Sequence, residues 1–217
     1  MSSRTERLEH LPKFGRSAEV RAASFDDADN TVEVVWTTGA AVRRMDWRSG
    51  RHYSEILEVS DGAVRLDRLN AGAPLLDTHD DWSLRSVIGS VVPGSAKLEG
   101  GKGTARVRLS NAAGDADVVS KIRDGIIRNI SVGYAIHKVI KTEADRDGGD
   151  DEWRVVDWEP MEISAVPIPA DAGSQIRKND DRALTPCEFV SVAAAPGRNE
   201  AVLARMRARQ RSVMRSW

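Results

Sequence analysis

Short runs rich in Val, Ile and Trp recur along this 217-residue chain from Ala18 onward, separated by turn-forming stretches. SAEVRAASF (17–25) and NTVEVVWTT (30–38) flank the turn-rich FDDADN and read as a hairpin. HYSEILEV (52–59), APLLDTH (73–79) and SVIGSVV (86–92) read as further strands, and SAKLEGGKGTARVRLS (95–110) as a hairpin turning at GGKG. A long strand over 126–140 leads through the solvated tip KTEADRDGGDDE (141–152) into WRVVDWEPMEISAVPIPAD (153–171). Helical spacing is clearest in GDADVVSKIRDG (114–125), where Val118, Val119 and Ile122 share a face. Asp115 is placed to cap its start and Gly125 its end. GAVRLDRLNAG (62–72) reads as a shorter helix closed by Gly72. The expected class is mainly β with a few helices (α+β), as a closed sheet or β-barrel flanked by helices.

Charged residues make up 30% of the chain but the net charge is only −1, which gives no general attraction to nucleic acid or membrane. A lone cysteine, Cys187, excludes an intrachain disulfide framework and any CxxC site. MSSRTERLEHLPKFGR (1–16) is polar, reads as a loose segment and lacks the apolar stretch of a signal peptide. No run approaches the roughly 18 apolar residues of a spanning helix. A soluble, intracellular protein that is not secreted is expected. Beyond Arg177 the sequence becomes linker-like, and EAVLARMRARQRSVMRSW (200–217) can wind as a basic amphipathic helix that docks a partner.

IIRNISVGYAI (126–136) sets a serine and then a glycine into an apolar strand. Strand alternation points Ile130, Val132, Tyr134 and Ile136 one way and Ser131, Gly133 and Ala135 the other. The small face leaves room along the backbone for a peptide substrate or for a closely packed neighbour. A serine nucleophile also needs a base, and that base an orienting group. Of the four histidines, only His79 ends an apolar strand, bracketed by Asp77, Asp80 and Asp81. Those carboxylates also admit a metal-site reading around Asp77, His79 and Asp80, although no other His or Cys completes a tetrahedral set. In WEPMEISAV, Met161, Ile163 and Ala165 form the apolar set, so Glu162 is expected beside Trp158 and Ser164. A carboxylate there is costly to bury without a partner, and a histidine would suit it. Glu159 falls on the opposite face.

LLDTHD, VIGSV, DGIIRNISVGYAI and MEISAVPIPAD, in that order, resemble the tailed-phage prohead (capsid maturation) serine proteases, which are related in fold to the herpesvirus assemblins. The likeness covers roughly residues 20–175. It implies a Ser/His/Glu endopeptidase with Ser131 as nucleophile, His79 as general base and Glu162 as the group orienting the imidazole, with no cofactor and no metal. It further implies a herpesvirus-protease-like barrel, and the change of composition along the chain bounds that domain at 17–177, with a flexible segment 1–16 before it and a linker and tail 178–217 after it. The implied partners are the phage scaffold and major capsid protein, cut inside the assembling prohead in the host cytoplasm. Self-cleavage belongs to the same picture, a homodimer stays open, and neither membrane nor specific nucleic acid is implied. No G-x-S-x-G elbow is present, which argues against an α/β-hydrolase. A catalytically inert capsid-assembly or scaffolding protein on the same fold is the competing reading.

Overall fold

The computed structural model describes residues 4–11, 13–46, 48–144, 149–168 and 185–192. The fold is mainly β. Its first strands are β1 (Arg4–Leu11), β2 (Phe14–Asp26), β3 (Thr31–Thr37), β4 (Val42–Met45) and β5 (His52–Leu57). A single helical turn, α1 (Asp67–Asn70), precedes β6 (Pro74–Asp77), β7 (Val87–Val91), β8 (Lys97–Glu99) and β9 (Lys102–Leu109). The helix α2 (Ala116–Arg123) leads to the long strands β10 (Asn129–Thr142) and β11 (Asp151–Ala165), and β12 (Thr185–Val192) follows.

The strands pair in the order β1-β12-β10-β2-β3-β9-β7-β6-β11-β5-β4, with β8 on β9 and a further pairing of β10 with β11. β10 is the hub. Its first half lies between β2 and β11, and its second half between β12 and β11. Alternation along β10 buries Ile130, Val132, Tyr134 and Ile136 in the core, as the sequence predicts. They meet Trp36, Trp158 and Ile163, all fully buried. Trp158 stands edge-on to Trp36 and Tyr134 at centroid distances of 6.0 and 5.5 Å. This arrangement suits the negative ring face and positive ring edge.

Trp158 therefore does not share a face with Glu162. Gly133 pairs with Glu162 and the next residue, Tyr134, with Pro160, so Met161 is an extra residue on β11. That bulge reverses the alternation, and Trp158 joins the core set while Glu162 stays with Ser164.

Two helix expectations also change. Residues 62–72 form only the turn α1, because Ala63 and Arg65 exchange backbone hydrogen bonds with Trp158 of β11. Asp115 does not cap α2 through its side chain, since a 3-10 turn over Ala113–Asp115 already holds it in helical conformation. Gly125 ends the helix as expected, at φ +70° with its N–H donating to Ile122.

The chain ends depart most from the sequence reading. Arg4–Leu11, read as loose, form β1, which pairs antiparallel with β12. Thr185–Val192, read as linker, form β12, whose Cys187, Phe189 and Val190 are buried. Phe189 stands edge-on to Trp153 at 5.0 Å. A strand can look polar in isolation and still be held by the sheet on either side of it. The predicted tail helix over 200–217 lies outside the described residues. Among the described residues, no helix is long and apolar enough to cross a membrane.

Candidate active site

β6 runs parallel to the end of β11, with Leu75, Leu76 and Asp77 opposite Ile163, Ser164 and Ala165. Leu75 and Leu76 are buried, which anchors the strand and fixes where the chain leaves it. The next two residues, Thr78 and His79, both take left-handed backbone angles, at φ +48° and +62°. Two consecutive non-glycine residues in that region are unusual and need support from their surroundings. The support comes from β11: the Thr78 N–H donates to the Ala165 carbonyl at 3.0 Å, and the His79 N–H to Ser164 Oγ at 3.2 Å.

This turn lays the imidazole against Glu162, with His79 Nδ1 2.7 Å from Glu162 Oε1. The other carboxylate oxygen accepts a hydrogen bond from Ser164 Oγ at 2.5 Å. Ser164 thus ties the backbone of His79 to the side chain of Glu162. Lys13, just ahead of β2, brings its ammonium 3.2 Å from Glu162 Oε1 and 3.3 Å from Asp81 Oδ2. Glu162 is 2% exposed. Burial alone would push its carboxyl up, but the His79 hydrogen bond, the charges of Lys13 and His79, and the Ser164 hydroxyl outweigh it and hold it below the ordinary value. The carboxylate is ionised, so neutral His79 donates from Nδ1 and keeps Nε2 as the basic nitrogen.

Ser131 lies on the central part of β10, paired with Ser164 of β11 on one side and Ser17 of β2 on the other. It is 1% exposed, and its Oγ has no hydrogen-bond partner among the described residues. Gly15 of β2 adjoins both Ser131 and His79. A Cβ on Gly15 would stand 3.3 Å from Ser131 Oγ and 3.6 Å from His79 Nε2.

All three residues singled out in the sequence thus converge, from the loop after β6, from β10 and from β11. Sequence reasoning missed Lys13 and Gly15, which carry no motif of their own and reach the site only through the pairing of β2 with β10. The metal reading does not fit the geometry of DTHDD. Asp80 accepts from the Ser86 hydroxyl and the Trp82 N–H, and His79 turns Nδ1 to Glu162. Among the described residues, no group of three or more His, Cys, Asp or Glu is placed to hold a metal ion. An open cleft beside Glu162 and Lys13 is lined by Leu76, Trp82, Leu84 and Met161.

Residues 58–186 match the profile of the Caudovirus prohead serine protease family. The chain belongs to that family. The matched segment carries His79, Ser131, Glu162 and Ser164, whereas Lys13 and Gly15 lie ahead of it. A relative is the major capsid protein of Halomonas phage phiHAP-1, 35% identical over 128 residues, which is 59% of this chain and 21% of that protein. The chain therefore spans about a fifth of the length of that relative. No solved structure matches it.

Proposed function

We propose that this chain is a serine endopeptidase that cleaves the scaffold and scaffold-like capsid-protein segments, and itself, during phage prohead maturation. The observation that carries the reading is the 2.7 Å contact of His79 Nδ1 with the buried Glu162, on a histidine whose other nitrogen adjoins Ser131 across Gly15. Ser131 Oγ attacks the scissile carbonyl and gives its proton to His79 Nε2. Glu162 stays ionised and stabilises the imidazolium. Collapse of the tetrahedral intermediate passes that proton to the leaving amine, and a water activated by the same imidazole releases the acyl group.

The relative among major capsid proteins supports an association with the capsid, and with it action inside the assembling prohead. We also read the sheet as a closed barrel, since the pairings from β10 through β2, β3, β9, β7, β6 and β11 return to β10. That ring agrees with a herpesvirus-protease-like core, to which β1 and β12 add an edge. The sequence beyond β12 is the candidate docking tail.

Incubating the chain and its Ser131→Ala variant with a capsid protein that carries its scaffold segment tests the reading. Cleavage by the first and not by the folded variant is expected. Equal cleavage by both would remove Ser131 from the role, and cleavage by neither within assembled proheads would favour an inert assembly protein.

A further inference from the structure

Lys13 and His79 approach the same oxygen. Nζ of Lys13 lies 3.2 Å from Glu162 Oε1, which His79 Nδ1 meets at 2.7 Å. The backbone pairing of Gly15 with Gly133 carries the residue there, and bare Gly133 lets the lysine stem pass: a Cβ on Gly133 would run into Lys13 Cε. The lysine side chain is 24% exposed, while that of Glu162 is 3% exposed. Resting on the reading of His79 and Glu162 as base and orienting acid, we propose that Lys13 is a positioning residue that neutralises Glu162 between turnovers and keeps His79 unprotonated.

A buried carboxylate without a counter-charge is strongly disfavoured. His79 supplies such a charge only when protonated, yet a general base must begin unprotonated. The Lys13 ammonium supplies it when the imidazole is neutral. The same ammonium repels an imidazolium, so the proton on His79 is less stabilised than Glu162 alone would make it. Among the described residues, Lys13 from ahead of β2 forms ion pairs with Glu162 from β11 and Asp81 from the loop after β6, His79 pairs with Glu162, and Arg68 lines the same cleft. Lys13 precedes the family-matched residues 58–186, so the N-terminal part of this chain contributes directly to the site.

Proton NMR titration of the His79 Cε1–H in the full chain, assigned with His79→Gln, tests this without any substrate. Lys13→Met should move the His79 midpoint upward, and Lys13→Arg should leave it nearly unchanged. An unchanged midpoint in folded Lys13→Met would overturn the proposal. If that variant does not fold, Lys13→Gln, which removes the charge but keeps a polar stem, is read in the same way, and an unchanged midpoint there counts against the idea. The acid limb of phosphonylation by a fluorophosphonate should move with the NMR midpoint. A midpoint that shifts in a chain that never reacts would contradict the protease reading and with it the catalytic role of Lys13, leaving only its charge coupling to His79.

Discussion

Gly133 and Glu162 are cross-strand partners, and the Glu162 carboxylate fills the space that a side chain on Gly133 would take. The glycine in SVGY is thus explained by the protein's own acid rather than by an incoming peptide. Gly133→Ala would press its methyl against Glu162 Oε1 and Lys13 Cε, with Glu162 Cδ at 2.9 Å. The carboxylate would have to leave its place beside His79. Activity should fall by about 100-fold or more, with a stability loss of about 1–3 kcal/mol. Fluorophosphonate labelling rates beside urea denaturation would separate the two effects.

Gly15→Ala should behave differently. Its methyl would meet Ser131 Oγ at 3.3 Å and His79 Nε2 at 3.6 Å, contacts that small shifts relieve. The fold should lose no more than about 1 kcal/mol. The methyl crowds the space between Ser131 and His79, the proposed nucleophile and base, so the labelling rate should drop at least tenfold, by roughly the 1.4 kcal/mol that a decade represents. An unaffected rate would mean that proton transfer does not pass this point.

Much of this was legible in the sequence, and the failures share a cause. Period-two alternation locates β10 and its buried face, whereas the strand read over 73–79 stops at Asp77, and Thr78 and His79 form a left-handed turn instead. Alternation failed at Trp158 because a bulge at Met161 changes parity, and a one-residue insertion leaves no compositional trace. β1 and β12 escaped because each pairs with a segment more than 170 residues away, which no local pattern reports. Lys13 was invisible for the same reason: its neighbours at the site arrive through the pairing of β2 with β10.

Arg44 supports the site from behind. It donates to buried Glu55 at 2.9 Å, to Tyr134 Oη at 3.0 Å and to the Gly15 carbonyl at 2.7 Å. Tyr134 in turn donates to Glu55 at 2.5 Å. Arg44→Met would take this cation from a carboxylate that is 0% exposed, which should cost about 3–5 kcal/mol. Urea denaturation measures it, and replacing Glu55 as well by a neutral residue of similar size should recover part of the loss.

Acid should weaken the fold partly through Glu162. Its carboxyl lies below the ordinary value of 4.5 in the folded chain, so ionisation favours the fold above that value. The contribution is lost as pH falls through the folded value. Denaturant midpoints measured from about pH 6 to pH 3 should therefore fall less steeply for Glu162→Gln than for the native chain. Parallel curves would mean that Glu162 carries no net linkage to folding.

Ser131 is proposed as a nucleophile activated by His79 and Glu162. Intact-mass analysis after treatment with a fluorophosphonate, followed by peptide mapping, tests it most directly. One adduct on Ser131, absent from folded Ser131→Ala and strongly slowed in His79→Gln, is the predicted result. An adduct on another residue, or equal labelling of native chain and Ser131→Ala, would contradict it.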